Sequence, residues 1–75
     1  MRVFEIVPTK EYFAGVALVA ANNTNVAINI WKQEEEQNDD LWIDGKCYCF
    51  ERNDIQTNVD VPKVLIDTIV NTINR

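Results

Sequence analysis

The chain runs on two hydrophobic periods, and the places where one gives way to the other mark its elements. Residues 2 to 7, RVFEIV, alternate loosely: Val3, Glu5 and Val7 share one side, Phe4 and Ile6 the other. A period of two is that of a strand. Pro8 ends the run, because proline cannot donate to a sheet ladder. Residues 8 to 14, PTKEYFA, read as a connection. Residues 15 to 21, GVALVAA, are apolar on both faces, Val16, Leu18 and Ala20 against Ala17, Val19 and Ala21. A short, doubly apolar, Val-rich run suits a central strand.

At Asn22 and Asn23 the period changes. Asparagine accepts a hydrogen bond from an otherwise unpaired amide of a first helical turn. From there Val26, Ala27, Ile30 and Trp31 span roughly 140° of arc at ~100° per residue, with Ile28 at the margin. Asn29, Lys32 and Gln33 lie opposite. Glu34 falls inside the apolar arc, so the packed part of the helix ends near it. The chain leaves a sheet here and lays a short helix back across it.

Residues 34 to 40, EEEQNDD, place five carboxylates in seven positions. Such a run repels itself and is solvated as a loop. Asp44-Gly45 between apolar stretches is a hairpin signal, with strands expected at 41 to 43 and 46 to 52. Residues 53 to 60, NDIQTNVD, read as a polar connection. The last segment, VPKVLIDTIVNTINR, fits two patterns. As a helix it puts Ile66, Ile69, Val70 and Ile73 on one face, capped by Asp60 with Pro62 in the first turn. As a strand it alternates, and its Val, Ile and Thr content favours the strand.

These elements describe one α+β domain over residues 1 to 75. Its sheet is small and mostly antiparallel, in the order β-β-α-β-β-β, with one helix packed on one face. A helical C-terminal segment is the alternative. A count of faces then matters. If Phe4, Ile6, Val16, Leu18, Val64 and Ile66 meet the helix, Val3, Val7, Val19, Leu65 and Ile69 remain opposite. An uncovered apolar patch of that size exceeds what monomers usually expose. A second copy, another protein or a helical C-terminus is expected to cover it.

Composition narrows the function classes. Carboxylates outnumber Lys plus Arg by 12 to 7, for a net charge of −5. That disfavours direct binding of nucleic acid or anionic membrane, which need a basic surface. No apolar run is long enough to span a bilayer. The N-terminal MRVFEIVPTK lacks the uninterrupted core of a signal peptide, which points to a cytoplasmic chain. A chain this short buries only about 60–65% of its unfolded surface, so a partner would add useful stability.

The chain holds neither histidine nor serine. His-based acid–base pairs and Ser nucleophiles are therefore absent from the subunit, and no enzyme activity is expected. Cys47 and Cys49 project from one strand face, too far apart for the roughly 3.5–4.5 Å between Cβ atoms that a disulfide needs. With no second Cys pair and no histidine, a four-ligand zinc site would need thiolates from two subunits. Small buried side chains explain the pair better. Asp40, Asp44, Gly45 and Glu51 imitate a calcium loop, but Trp42 stands where a ligand is required, and a hairpin turn explains the same residues. No metal and no cofactor is expected.

The pattern YFAGVALVAANNTNVAI (12 to 28), followed by PKVLIDTIV (62 to 70), resembles short uncharacterised proteins encoded by gut bacteria and by their phages and mobile elements. The resemblance covers about a third of the chain. It implies an extended final segment and a bacterial or phage origin, and no catalytic motif.

The expected function is a non-enzymatic protein-interaction module, homodimeric or bound to another protein. Val19, Leu65 and Ile69 are its candidate apolar residues, and Glu34, Glu35, Glu36, Asp39 and Asp40 its candidate acidic ones. The alternative is an inhibitor whose acidic loop imitates nucleic-acid charge and occupies a nucleic-acid-binding protein.

Overall fold

The computed structural model describes residues 1–8, 13–34 and 47–71. Seven elements follow in chain order: β1 (Arg2–Pro8), β2 (Phe13–Ala14), β3 (Ala17–Ala21), α1 (Thr24–Glu34), β4 (Cys47–Glu51), β5 (Lys63–Asp67) and β6 (Val70–Asn71). Four strands form an antiparallel sheet in the order β4-β1-β3-β5, and β2 pairs with β6 in a short separate ladder. This is a small α+β fold with strands on both sides of one helix. The final segment is extended at β5 and β6, so the helical alternative does not hold over residues 63–71. The expected hairpin strand at 41–43 and its Asp44-Gly45 turn lie outside the described residues.

The helix begins where the asparagines predict it. Asn23 Oδ1 accepts the Val26 amide at 2.9 Å, and the Asn23 carbonyl accepts that of Ala27 at 3.1 Å. One orphan donor of the first turn is thereby satisfied, which is what a cap of this type does. The helix is described over Thr24–Glu34, and the residues that follow Glu34 lie outside the described ones.

The helix packs over β1, β3, β4 and β5. Beneath it lies a core of Phe4, Ile6, Phe13, Ala17, Val19, Ala21, Ala27, Trp31 and Ile69, with Val26, Ile30, Cys49 and Val64 against its rim. Trp31 is the largest fully buried side chain. Three alanines share its cluster, so the bulky indole is matched by small neighbours, as close packing requires.

The assignment of faces differs from the one expected. In the β1–β3 register Phe4 opposes Val19 and Ile6 opposes Ala17. Directly opposed residues share a face. Val19 therefore joins Phe4 and Ile6 under the helix, and Leu18 turns away. A second shift lies in β5. Val19 pairs with Val64 but Leu18 pairs with Ile66, which leaves Leu65 as the extra residue of a β-bulge. The bulge breaks the strict alternation of the strand. Val64 stays on the helix side while Ile66 moves to the other.

Residues 8–14 are more than a connection, since Phe13 and Ala14 pair with Asn71 and Val70. Between this ladder and the sheet sits Gly15, at φ 104°. A Cβ there would stand 2.2 Å from the Thr68 carbonyl oxygen. Thr68 also clasps Val16 with three hydrogen bonds. Its amide and its hydroxyl both donate to the Val16 carbonyl, at 2.9 and 3.1 Å, and its hydroxyl accepts the Val16 amide at 3.0 Å. The two segments cross at close range here, and glycine is the residue that permits it.

Candidate functional site

The face of the sheet turned away from the helix is the surface most in need of explanation. The register puts Tyr48 beside Val7 and Phe50 beside Glu5 on the β4 side, and Leu18 beside Ile66 on the β5 side. Glu5 opposes Leu18 across the middle. Tyr48 is 67% exposed, Phe50 44% and Ile66 51%. Val7 and Leu18 between them are half-buried. Two aromatic side chains and a branched aliphatic one thus stand out from one pleated surface.

The charges on this face are balanced locally. Arg52 pairs with Glu5 on β1 and, at 2.6 Å, with Asp54 just beyond the end of β4. The two carboxylates beside the patch are occupied by one guanidinium. Arg52 also donates its second hydrogen bond to Asp54 at 2.8 Å. This fork holds the Asp54 carboxyl down to about 2, and the two acids hold the guanidinium protonated well above its ordinary value. Lys63 is exposed on the same face, next to Ala20. On the other side of the sheet, Arg2 approaches Glu51 at 3.8 Å.

The candidates read from the sequence fall into four groups. Val19 is fully buried and Ile69 is 8% exposed, and both belong to the core with Trp31. They contribute nothing to an accessible face. The reason is register for Val19, and for Ile69 the turn after Asp67, whose Oδ1 accepts the Ile69 amide at 3.0 Å. Leu65 is half-buried at the bulge. Glu34 is the last residue of α1. Glu35, Glu36, Asp39 and Asp40 lie outside the described residues, as does most of the calcium-like loop at 40–51.

Tyr48, Phe50 and Ile66 were missed as surface residues. The available signal was the alternation of Tyr48 and Phe50 with Cys47 and Cys49. It places the aromatics on the face opposite the small thiols.

Cys49 is a free thiol, half-buried against the core, and burial pushes its pKa up. A thiol so placed behaves as a small apolar residue. Among the described residues, no three of the Cys, Asp and Glu side chains gather closely enough to hold a metal ion, and no pocket is found. No helix among them is long and apolar enough to cross a membrane. No known protein family matches the chain, and neither does any curated protein or solved structure.

Proposed function

We propose that this chain is a non-enzymatic interaction module that associates with a second copy of itself through the open sheet face. One observation carries the reading: Tyr48, Phe50 and Ile66 are exposed together on one face, around the half-buried Val7 and Leu18. Aromatic residues are enriched at the energetic centres of protein interfaces, and contiguous apolar patches on small domains mark such sites. The local charge balance supports self-association. A chain of net charge −5 would repel its copy if carboxylates met carboxylates. Here Arg52 pairs with both Glu5 and Asp54, and Lys63 on the same face supplies the second positive charge that offsets the two carboxylates, so two such faces meet with little like-charge penalty. An origin in bacteria or their mobile elements rests on the likeness of residues 12–28 and 62–70 alone.

Light scattering on the purified chain tests the reading. The expected result is a dimer whose population rises with concentration and persists at high salt, because apolar contacts are not screened. The double substitution Tyr48→Lys with Ile66→Lys should yield a monomer with unchanged circular dichroism. A wild-type chain that stays monomeric at all accessible concentrations would overturn self-association through this face.

A further inference from the structure

We propose that residues 53–62 form a releasable strap, whose opening on an otherwise intact sheet extends the exposed face onto Val3 and Ala20. As regulation of the docking surface this rests on the reading above. The opening itself needs no partner.

What lies under the strap is the first argument. Val3 and Ala20 are cross-strand partners on the two central strands, and they sit on the face away from the helix. They are 1% and 0% exposed, yet neither belongs to the core under the helix. The chain leaves the sheet at Arg52, whose amide donates to the Val3 carbonyl at 2.8 Å, and re-enters it at Lys63, which pairs with Ala20. The intervening segment has to travel from one sheet edge to the other, and it starts and ends beside this pair.

How the strap is held is the second argument. It has no helix or strand. Among the described residues, it is tied to the sheet by hydrogen bonds only through Arg52, just before it, whose amide donates to the Val3 carbonyl and whose guanidinium bridges Glu5 of the sheet and Asp54 of the strap. Further along, the Ile55 amide returns to the Arg52 carbonyl at the strap's root, and the Val59 amide donates to the Thr57 hydroxyl within the strap. Ile55, Thr57, Val59 and Pro62 are half-buried, while the residues between them are exposed. A segment with so few hydrogen bonds and only partial apolar burial opens at lower free energy than the ladders it crosses. Once it opens, Val3 and Ala20 become continuous with Leu18 and Ile66 on the same face.

Two buried alanines of β3 provide the test. Ala20 faces the strap and Ala17 faces the helix, and both are 0% exposed. In the full-length chain, with Cys47 and Cys49 replaced by alanine, Ala20→Cys or Ala17→Cys is introduced and labelled with a maleimide under native conditions. The thiol at position 20 should react at least about tenfold faster than the one at position 17, because only the strap must part. Arg52→Gln should speed labelling at position 20 and leave position 17 unchanged. Equal rates at the two positions, or an Arg52→Gln effect common to both, would show that the strap parts only when the whole domain unfolds, and would overturn the proposal. If Ala20→Cys does not fold, Val3→Cys takes its place with the same expectations, since it removes volume instead of adding it. The labelling reads the free chain, whereas self-association is read by light scattering, so failure of one is distinguishable from failure of the other.

Discussion

The indole of Trp31 donates to Asp67 Oδ2 at 2.9 Å, joining the later part of the helix to the end of an edge strand. The same carboxylate uses Oδ1 to accept the Ile69 amide. One side chain therefore fixes both the docking of α1 and the turn that sends Ile69 into the core. Removing an acceptor from a buried donor costs about 1–3 kcal/mol, more than the net worth of most hydrogen bonds. Asp67→Ala should destabilise the chain by that order. Asp67→Asn, which keeps an acceptor oxygen, should cost distinctly less. Urea unfolding followed by Trp31 fluorescence in a Trp42→Phe background checks both, and equal losses for the two variants would argue against the hydrogen bond as the cause.

Gly15 supplies a second expectation. At φ 104° the left-handed region disfavours any side chain, and a Cβ would also meet the Thr68 carbonyl oxygen and carbon at 2.2 and 2.6 Å. Both are backbone atoms, held by the Thr68–Val16 clasp, so neither can swing aside. Backbone strain of this kind costs of order 1–3 kcal/mol, and the clash adds to it. Gly15→Ala should therefore lower the urea midpoint more than Ala14→Gly, a change at an exposed neighbour. A Gly15→Ala variant with an unaltered midpoint would mean that the crossing is looser than described.

Much of the architecture is legible in the sequence because it depends on local pattern. The helix is marked by its own period and its start by Asn23. The Val, Ile and Thr content of the last segment favours a strand, and Lys63–Asp67 is one. Faces are harder, since alternation separates a strand's two sides without saying which side meets a neighbour's. That choice is set by register, a non-local property. Val19 was misplaced for this reason, and so was Ile66, because a bulge at Leu65 leaves no local mark. A physical clue was present all the same. Ala17, Ala21 and Ala27 are small where Trp31 is large, and complementary volumes identify the packed side better than hydrophobicity does. Ile69 required knowledge of the turn at Thr68, which follows from a contact with Val16 across 52 residues of chain.

Acid should test the Arg52 fork. The Arg52 guanidinium, chiefly through its hydrogen bonds, holds the Asp54 carboxyl at about 2, against 3.8 for the free side chain. A folded-state value below the unfolded one means a contribution present above the unfolded value and lost as pH falls through the folded one. The stability difference between wild type and Asp54→Asn should thus be constant above about pH 5 and shrink between about 4 and 2. Its size will be small, because exposed pairs contribute little. Urea unfolding at a series of pH values reads it. A difference that holds constant down to pH 2 would contradict the depressed value.

The reassigned faces make opposite forecasts for two branched residues only one register step apart. Val19 is 0% exposed, and threonine matches its shape while adding a hydroxyl. Buried without a partner, that hydroxyl costs about 1–3 kcal/mol. Ile66 is 51% exposed, so Ile66→Thr leaves a side chain that still suits a strand and still reaches water. Its effect on the monomer's stability should stay within about 0.5 kcal/mol. Self-association should respond the other way. Ile66→Thr should weaken the concentration dependence of light scattering, while any surviving Val19→Thr fold should keep it. Unfolding and scattering measured on the same two variants therefore separate the core from the docking face. If Ile66→Thr proved the more destabilising change, the bulge at Leu65 could not be turning that side chain outward.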